Sequence, residues 1–277
     1  MDKIVRKKIG ILGAGALGGA VARGLGQRGF NVSVFDTNPE KGEALAPFGV
    51  HVSPSSEELC CGNDIIMAAI KPYIFFPVLR PLETMLENKL CVSLAGGISL
   101  DSLKNAFPNI RWARAMTNIC AAVNRAFTGY VLPEKATDEE SGFLAEALQS
   151  LGEAVPVQER LFDAITAISG SGPAFYFSFF DAFLLAGVRL GLPADLALKA
   201  TAWTAAGASE LVLQSGKHPA ALRDEVSTPG GTTIEGVSAL HEGGVPAAII
   251  RCISKTAEKS ESMSQKAAES CRADLKK

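Results

Sequence analysis

Two stretches of this chain carry residues whose types and spacing can do chemistry. The first, GILGAGALG, sets Gly13, Gly15 and Gly18 as G-x-G-x-x-G behind an apolar run and at the head of a helical one. The first glycine permits a tight turn, the second lets backbone approach a pyrophosphate, and the third lets helix and strand pack closely. The anion then rests on free N–H groups at the helix N-terminus. An acid, Asp36, closes the next β-like run at the spacing that reaches the ribose of a dinucleotide. Two roles are open to it. It accepts from the adenosine ribose hydroxyls and repels a 2′-phosphate, which favours NADH, or it caps the turn that follows. Thr37 and Asn38 can donate to a 2′-phosphate, so NADPH stays open.

The second stretch is DEVSTPGGTTIEG, residues 224–236. A proline, two adjacent glycines and the hydroxyls of Ser227, Thr228, Thr232 and Thr233 crowd into a connection between two helical segments. Either the hydroxyls only satisfy turn backbone, or the turn cradles something small and charged.

No other cluster competes with these. His51, His218 and His241 are isolated, so no metal site is expected. The six cysteines lack the spacing of a disulfide framework, and Cys60 and Cys61 are adjacent, so a reducing cytoplasm is the natural setting. A net charge of −2 gives no basic field for nucleic acid. Apolar residues at 47% and charged residues at 20% fit a globular chain with a large core. The basic opening MDKIVRKK leads into a glycine-rich run too short for a secretory leader. No unbroken apolar run reaches membrane-spanning length, and the richest, AFYFSFFDAFLLAGV, is interrupted by Asp181.

The elements that must position these residues change character along the chain. KKIGILGAG, NVSVFD, DIIMAAIKP, KLCVSLAGG and IRWARAM read as strands. GALGGAVARGLGQRG, PEKGEALAPFG and TDEESGFLAEALQSLG read as helices, the last with Thr137 and Glu140 as a capping box. Alternation of this kind predicts a parallel sheet with crossover helices. From about residue 160 the pattern turns to long Ala- and Leu-rich helices. The fold expected is an α/β Rossmann dinucleotide-binding domain, 1–163, followed by an all-helical domain, 164–277. In SGSGPAF, Ser171 and Pro173 read as cap and first turn of a long helix, or as a substrate contact. The aromatics Phe175, Tyr176, Phe177, Phe179, Phe180 and Phe183 read as core or subunit interface. The last ten or so residues are polar and expected to fray.

Four motifs together resemble the pyrroline-5-carboxylate reductase family: IGILGAGALGGAVARGL, IIMAAIKP, ITAISGSGPAFYF and GKHPAALRDEVSTPGGTTIEGVSAL. The resemblance spans nearly the whole chain, and the last motif is the most specific. It implies reduction of L-Δ1-pyrroline-5-carboxylate to L-proline with NADPH or NADH. It also implies a homodimer through the helical domain, with dimers assembling further into decamers. Cofactor-binding residues implied are Gly13, Ala14, Gly15, Ala16, Leu17 and Gly18, then Asp36 and Thr37, Ser56, Ala69, Ile70, Lys71 and Pro72, and Leu94, Ala95 and Gly96. Lys71 reads equally as an exposed turn lysine. Substrate-binding residues implied are Glu159 and the loop Gly230, Gly231, Thr232 and Thr233. Backbone N–H groups of that loop receive the carboxylate, and the Thr233 hydroxyl, the implied catalytic group, reaches the ring nitrogen. The chain departs from the family at Ile119 and Cys120, where Thr-Pro follows Asn in most members, and at Glu225, where relatives are neutral.

The residue inventory suits that reaction. A protonated cyclic imine takes hydride readily, so the site needs chiefly proximity and orientation, which supply roughly 7–11 kcal/mol. The Ile119–Cys120 departure keeps open a paralogue acting on another cyclic imine acid, such as a six-membered ring. A β-hydroxyacid dehydrogenase would carry a lysine on the interdomain helix, and residues 165–186 contain none. A dinucleotide sensor would bind cofactor without turnover, which the intact Gly230–Thr233 loop argues against.

Overall fold

A computed structural model describes residues 7–274. Eight strands form one sheet: β1 Lys8–Leu12, β2 Asn31–Phe35, β3 Val50–Val52, β4 Ile65–Ala68, β5 Leu90–Ser93, β6 Arg111–Met116, β7 Ala126–Val131 and β8 Gly152–Pro156. Their order is β3-β2-β1-β4-β5-β6-β7-β8. All neighbours are parallel except β6 and β7. The chain winds outward on one side of β1 and then on the other, so the carboxyl ends of β1 and β4 form a switch point.

Crossover helices cover both faces: α1 Ala16–Gln27, α2 Pro39–Glu43, α3 Ser56–Gly62, α4 Phe75–Leu79, α5 Glu83–Leu86, α6 Leu100–Ala106 and α7 Asp138–Gln149. Two apolar clusters result. One packs α1 and α7 onto the sheet through Val21, Leu25, Leu144 and Leu148. The other gathers Phe75, Phe107 and Trp112 on the opposite face. β4 and β5 are buried along their whole length, as a parallel strand covered on both faces must be. The capping box expected at Thr137 and Glu140 is formed.

Several elements differ from the sequence reading. β3, β7 and β8 were not anticipated. β3 has three residues, β7 contains Gly129, and β8 runs from Gly152 to Pro156 at the sheet edge, where a proline costs no ladder bond. The helix expected over PEKGEALAPFG stops at Glu43; Ala46–Phe48 form a separate 3₁₀ turn closed by Gly49 at φ 79°. Ser171 is not an N-cap. Its N–H donates to Thr166 O, so it lies inside a continuous helical run made of α8 Phe162–Ile165, a π-helical turn Thr166–Gly170, and α9 Gly172–Arg189. The helical segments α10 Ala194–Ser215, α11 Pro219–Glu225, α12 Thr232–Glu242 and α13 Val245–Asp274 follow. The tail expected to fray is instead helix as far as Asp274, and the final three residues lie outside the described ones.

The chain divides into two compact units, one of residues up to Pro173 plus those from Lys255 onward, the other Ala174–Ser254. The division therefore falls ten residues after the expected boundary at 163, and the end of α13 returns to the first unit. Tertiary contacts account for both shifts. Ser169 Oγ donates to Phe127 O at 3.0 Å. Ser260 Oγ donates to Asp163 Oδ1 at 2.6 Å, and Met263 lies against Gly97. In the second unit the buried apolar set shrinks to Ala197 among the described residues, while Phe183, Leu190, Trp203 and Ile250 are exposed. The run Glu159–Arg189 is long and apolar enough to cross a bilayer by length and composition.

Candidate active site

The implied cofactor residues converge at the carboxyl ends of the parallel strands. The glycine loop follows β1, Asp36 follows β2, Ala69–Pro72 follow β4 and Leu94–Gly96 follow β5. Backbone bonds bind these turns together: Gly13 N–H to Phe35 O, Ala69 N–H to Leu12 O and Leu94 N–H to Ala68 O, at 2.8, 2.9 and 3.0 Å.

Each glycine of the motif has a separate constraint. Gly13 is at φ 101°, and a Cβ there would lie 2.7 Å from Ala69 O. A Cβ on Gly18 would overlap Gly13 O. Gly15 is the N-cap of α1 at φ −65°, and a Cβ there would meet nothing within 4 Å. Its openness is on the ligand side rather than within the protein. α1 has no side-chain cap and no acid in its first turn, so its first N–H groups are available to an anion. These residues fit a dinucleotide pyrophosphate.

Asp36 already accepts from protein donors. Its Oδ2 accepts from Ala14 N–H at 2.8 Å, its Oδ1 accepts from Asn38 N–H at 2.9 Å, and Lys41 Nζ lies 3.4 Å from Oδ1. Burial raises this carboxyl, but the donors from Asn38 and Ala14 and the Lys41 charge outweigh it and hold it below the ordinary range. The capping role, one of the two open to it, is the one formed, and it extends to the glycine loop itself. Lys41 partly compensates the carboxylate.

Ser56 opens α3, Ser55 is the cap, and the Ser56 hydroxyl donates to Glu57 Oε2 at 2.9 Å. Lys71 is exposed, with Nζ 6.0 Å from the centre of the Tyr73 ring. Thr37 follows β2, and Ile70 and Pro72 follow β4. Leu94 and Ala95 are buried beneath the β5 loop, and Gly96 lies close to Met116.

Glu159 belongs to the same unit. Its Oε1 accepts from Leu100 N–H at 2.7 Å and from Arg114 NH1 at 2.8 Å. Arg114 is 4% exposed, stacks on Phe162 at 4.3 Å, and has a buried Nε without a partner. Sequence reasoning passed over Arg114 because an arginine inside a strand gives no hint of its partner. The divergent loop is well formed: Asn118 Oδ1 accepts from Cys120 N–H at 2.9 Å, and Asn118 Nδ2 donates to Ser169. A proline at position 120 would lack the donor that Cys120 supplies. Burial pushes the Cys60 thiol up to about 12 and raises Cys91 and Cys120 as well, so none is poised as a nucleophile.

The Gly230–Thr233 loop lies in the other unit. Gly230 is at φ 68°, a conformation suited to glycine. Gly231 is the N-cap of α12, but its N–H donates to Thr228 O at 3.0 Å and is not free for a carboxylate. α12 has no side-chain cap, so the N–H groups of Thr232 and Thr233 are among its unsatisfied donors. Glu225 is exposed and pairs with Lys217 at 2.7 Å.

Comparison with known proteins gives a consistent picture. Residues 159–263 match the family described as pyrroline-5-carboxylate reductase dimerisation, and residues 8–97 match the NADP oxidoreductase, coenzyme F420-dependent family. Pyrroline-5-carboxylate reductase of Escherichia coli is 37% identical over 268 residues, 94% of this chain and 100% of the relative. The Arabidopsis thaliana enzyme of that name is 35% identical over 264 residues, covering 93% and 96%. The crystal structure of Plasmodium falciparum pyrroline carboxylate reductase with NADP bound superposes with a TM-score of 0.87 at 26% identity, covering 95% of this chain and 100% of that one.

Proposed function

The chain belongs to the pyrroline-5-carboxylate reductase family, and from that premise we propose how its residues reduce L-Δ1-pyrroline-5-carboxylate to L-proline, the last step of proline biosynthesis. It is an NAD(P)H-dependent oxidoreductase with a Rossmann domain and a helical dimerisation domain. The observation that carries the site assignment is the uncapped N-terminus of α12 behind a left-handed Gly230.

The first turn of α1 holds the pyrophosphate, with Asp36 fixing the Ala14 amide and so the loop's shape. Ser56, Ala69–Pro72 and Leu94–Gly96 line the remainder of the cofactor's path along the sheet edge. NAD(P)H supplies the hydride. The N–H groups of Thr232 and Thr233 receive the substrate carboxylate, where the helix dipole favours an anion. Thr233 Oγ1 hydrogen-bonds the ring nitrogen and orients the imine carbon. Gly230 and Gly231 shape the loop. Glu159 serves through Leu100 and Arg114 rather than on the substrate.

The exposed apolar residues of the helical unit are covered by a second copy, giving a homodimer that is soluble and cytoplasmic, without nucleic acid or membrane partners. Decamers assemble from such dimers. Light scattering after gel filtration, without detergent, tests this: a monodisperse monomer would remove it.

The deciding assay is oxidation of NADH and of NADPH with pyrroline-5-carboxylate, with chromatographic detection of proline. Turnover of a six-membered imine acid alone would replace the five-membered substrate. Cofactor binding without any turnover would leave a sensor.

A further inference from the structure

We propose that Ser260 and Asp163 are positioning residues: their hydrogen bond seats α13 against Gly97 and so fixes the loop Leu94–Gly96 for the cofactor. This rests on the reading that the β5 loop lines the cofactor's path. Ser260 Oγ donates to Asp163 Oδ1 at 2.6 Å, and Ser260 is 6% exposed. Other helical serines of the chain behave differently. Ser178, Ser209, Ser215 and Ser264 each donate to the carbonyl four residues back, the local partner that a helix offers. Ser260 instead reaches a carboxylate 97 positions away.

The helix face that carries Ser260 lies against the end of the β5 loop. Ser260, Met263 and Ala267 fall at i, i+3 and i+7, on one face of α13. Gly97 is at φ 75°, and a Cβ there would lie 3.0 Å from Met263 Cβ and 3.4 Å from the Met263 carbonyl carbon, so loop and helix backbone approach closely. Ala267 packs against the apolar cluster that contains Ala95, Ile98 and Leu100. The loop is tied to the sheet at its start, by Leu94 N–H to Ala68 O at 3.0 Å, and again at Leu100, whose N–H donates to Glu159 Oε1 at 2.7 Å. Gly96 and Gly97 lie between those two ties, and α13 is what meets Gly97. Asp163 follows Phe162, the ring on which Arg114 stacks, so the Ser260 bond anchors α13 to the same short helix that backs the Arg114–Glu159 pair. A shift of α13 passes to Gly97 by direct contact, and from Gly97 to its neighbour Gly96.

The test compares the full chain with Ser260→Ala, Asp163→Ala and Asp163→Asn, with melting temperatures confirming folded protein. On the scale of one charge-assisted hydrogen bond, Ser260→Ala and Asp163→Ala should raise KM for NAD(P)H about three- to ten-fold and KM for the imine less than about two-fold. Asparagine keeps an acceptor for Ser260 without the charge, so Asp163→Asn should recover most of what Asp163→Ala loses. Hydrogen–deuterium exchange over residues 94–100, without cofactor, should be faster in Ser260→Ala than in the parent. An unchanged KM for NAD(P)H in Ser260→Ala overturns the proposal, whatever the melting temperature or the exchange does. So does an Asp163→Asn variant as impaired as Asp163→Ala, which would put the effect in the charge beside Arg114 and not in the hydrogen bond. In the parent, NADP⁺ should slow exchange over the same segment. No slowing there would remove the cofactor-path reading and the proposal with it, whereas slowing in the parent beside an unaltered Ser260→Ala removes the proposal alone.

Discussion

Arg114 and Glu159, 45 positions apart in the chain, meet at 2.8 Å, and the same Glu159 oxygen accepts the Leu100 N–H at 2.7 Å. One carboxylate oxygen thereby joins β6 to the segment that leaves the β5 loop. Removing Glu159 strands a guanidinium that is 4% exposed. Breaking a fully buried pair costs about 3–5 kcal/mol; partial exposure of Glu159 lowers this to roughly 2 kcal/mol for Glu159→Gln. Urea unfolding measures it. On the proposed cofactor path along the β5 loop, KM for NAD(P)H should rise more than KM for the imine. A rise confined to the imine would put Glu159 on the substrate instead.

Gly15→Ala separates fold from ligand. The new methyl meets no protein atom within 4 Å and the backbone is unstrained. The melting temperature should hold within about 2 °C, while dinucleotide affinity drops on the order of ten-fold or more because the methyl enters the pyrophosphate's space. Gly13→Ala, at φ 101° and against Ala69 O, should lose stability as well. Tight binding retained by Gly15→Ala would move the pyrophosphate elsewhere.

Asp36→Ala removes the acceptor of the Ala14 N–H. Affinity for NADH and NADPH should fall together, by about 1–2 kcal/mol for the lost charged hydrogen bonds. Fluorescence titration with both cofactors gives the comparison. A selective gain for NADPH would show that Asp36 acts mainly by repelling the 2′-phosphate.

Thr233→Ala should lower kcat/KM by about 1–3 kcal/mol, with Thr233→Ser recovering most of it. Steady-state rates decide, and wild-type kinetics in the alanine variant would take the hydroxyl out of the reaction.

Acid stability should depend on Glu140. Arg111 grips it at 2.7 and 2.6 Å, and chiefly through that hydrogen-bonded pair its carboxyl falls from 4.5 to about 2. A depressed folded-state value gives stability that is complete above 4.5 and lost as pH falls towards 2. Thermal melts of Glu140→Gln should be less stable than the parent near neutrality, and the difference should narrow through that window. An unchanging difference would mean the pair contributes no proton linkage.

The glycine motif, the capping box and the Gly-Gly-Thr-Thr loop were legible because each is a local pattern with a local physical cause. G-x-G-x-x-G follows from the geometry of one turn, and Thr137–Glu140 from one helix start. The short edge strands were not legible. Three residues of β3 or a glycine inside β7 give too little periodicity, and their pairing is settled by neighbours far along the chain.

The role of Asp36 marks the limit most clearly. Sequence alone determined that an acid closes β2 at dinucleotide spacing, and that a hydroxyl- and glycine-rich turn precedes a late helix. It also determined the family, through motifs spread over the whole length. Tertiary structure decided what those groups are committed to: Asp36 to the Ala14 amide, the Gly231 N–H to Thr228 O, Glu159 to Arg114 and Leu100. A hydrogen-bonding group's spare capacity depends on which partners folding brings within about 3 Å. Spacing along a strand can place a carboxylate at the edge of a site, but only the packed chain shows whether its lone pairs are already taken.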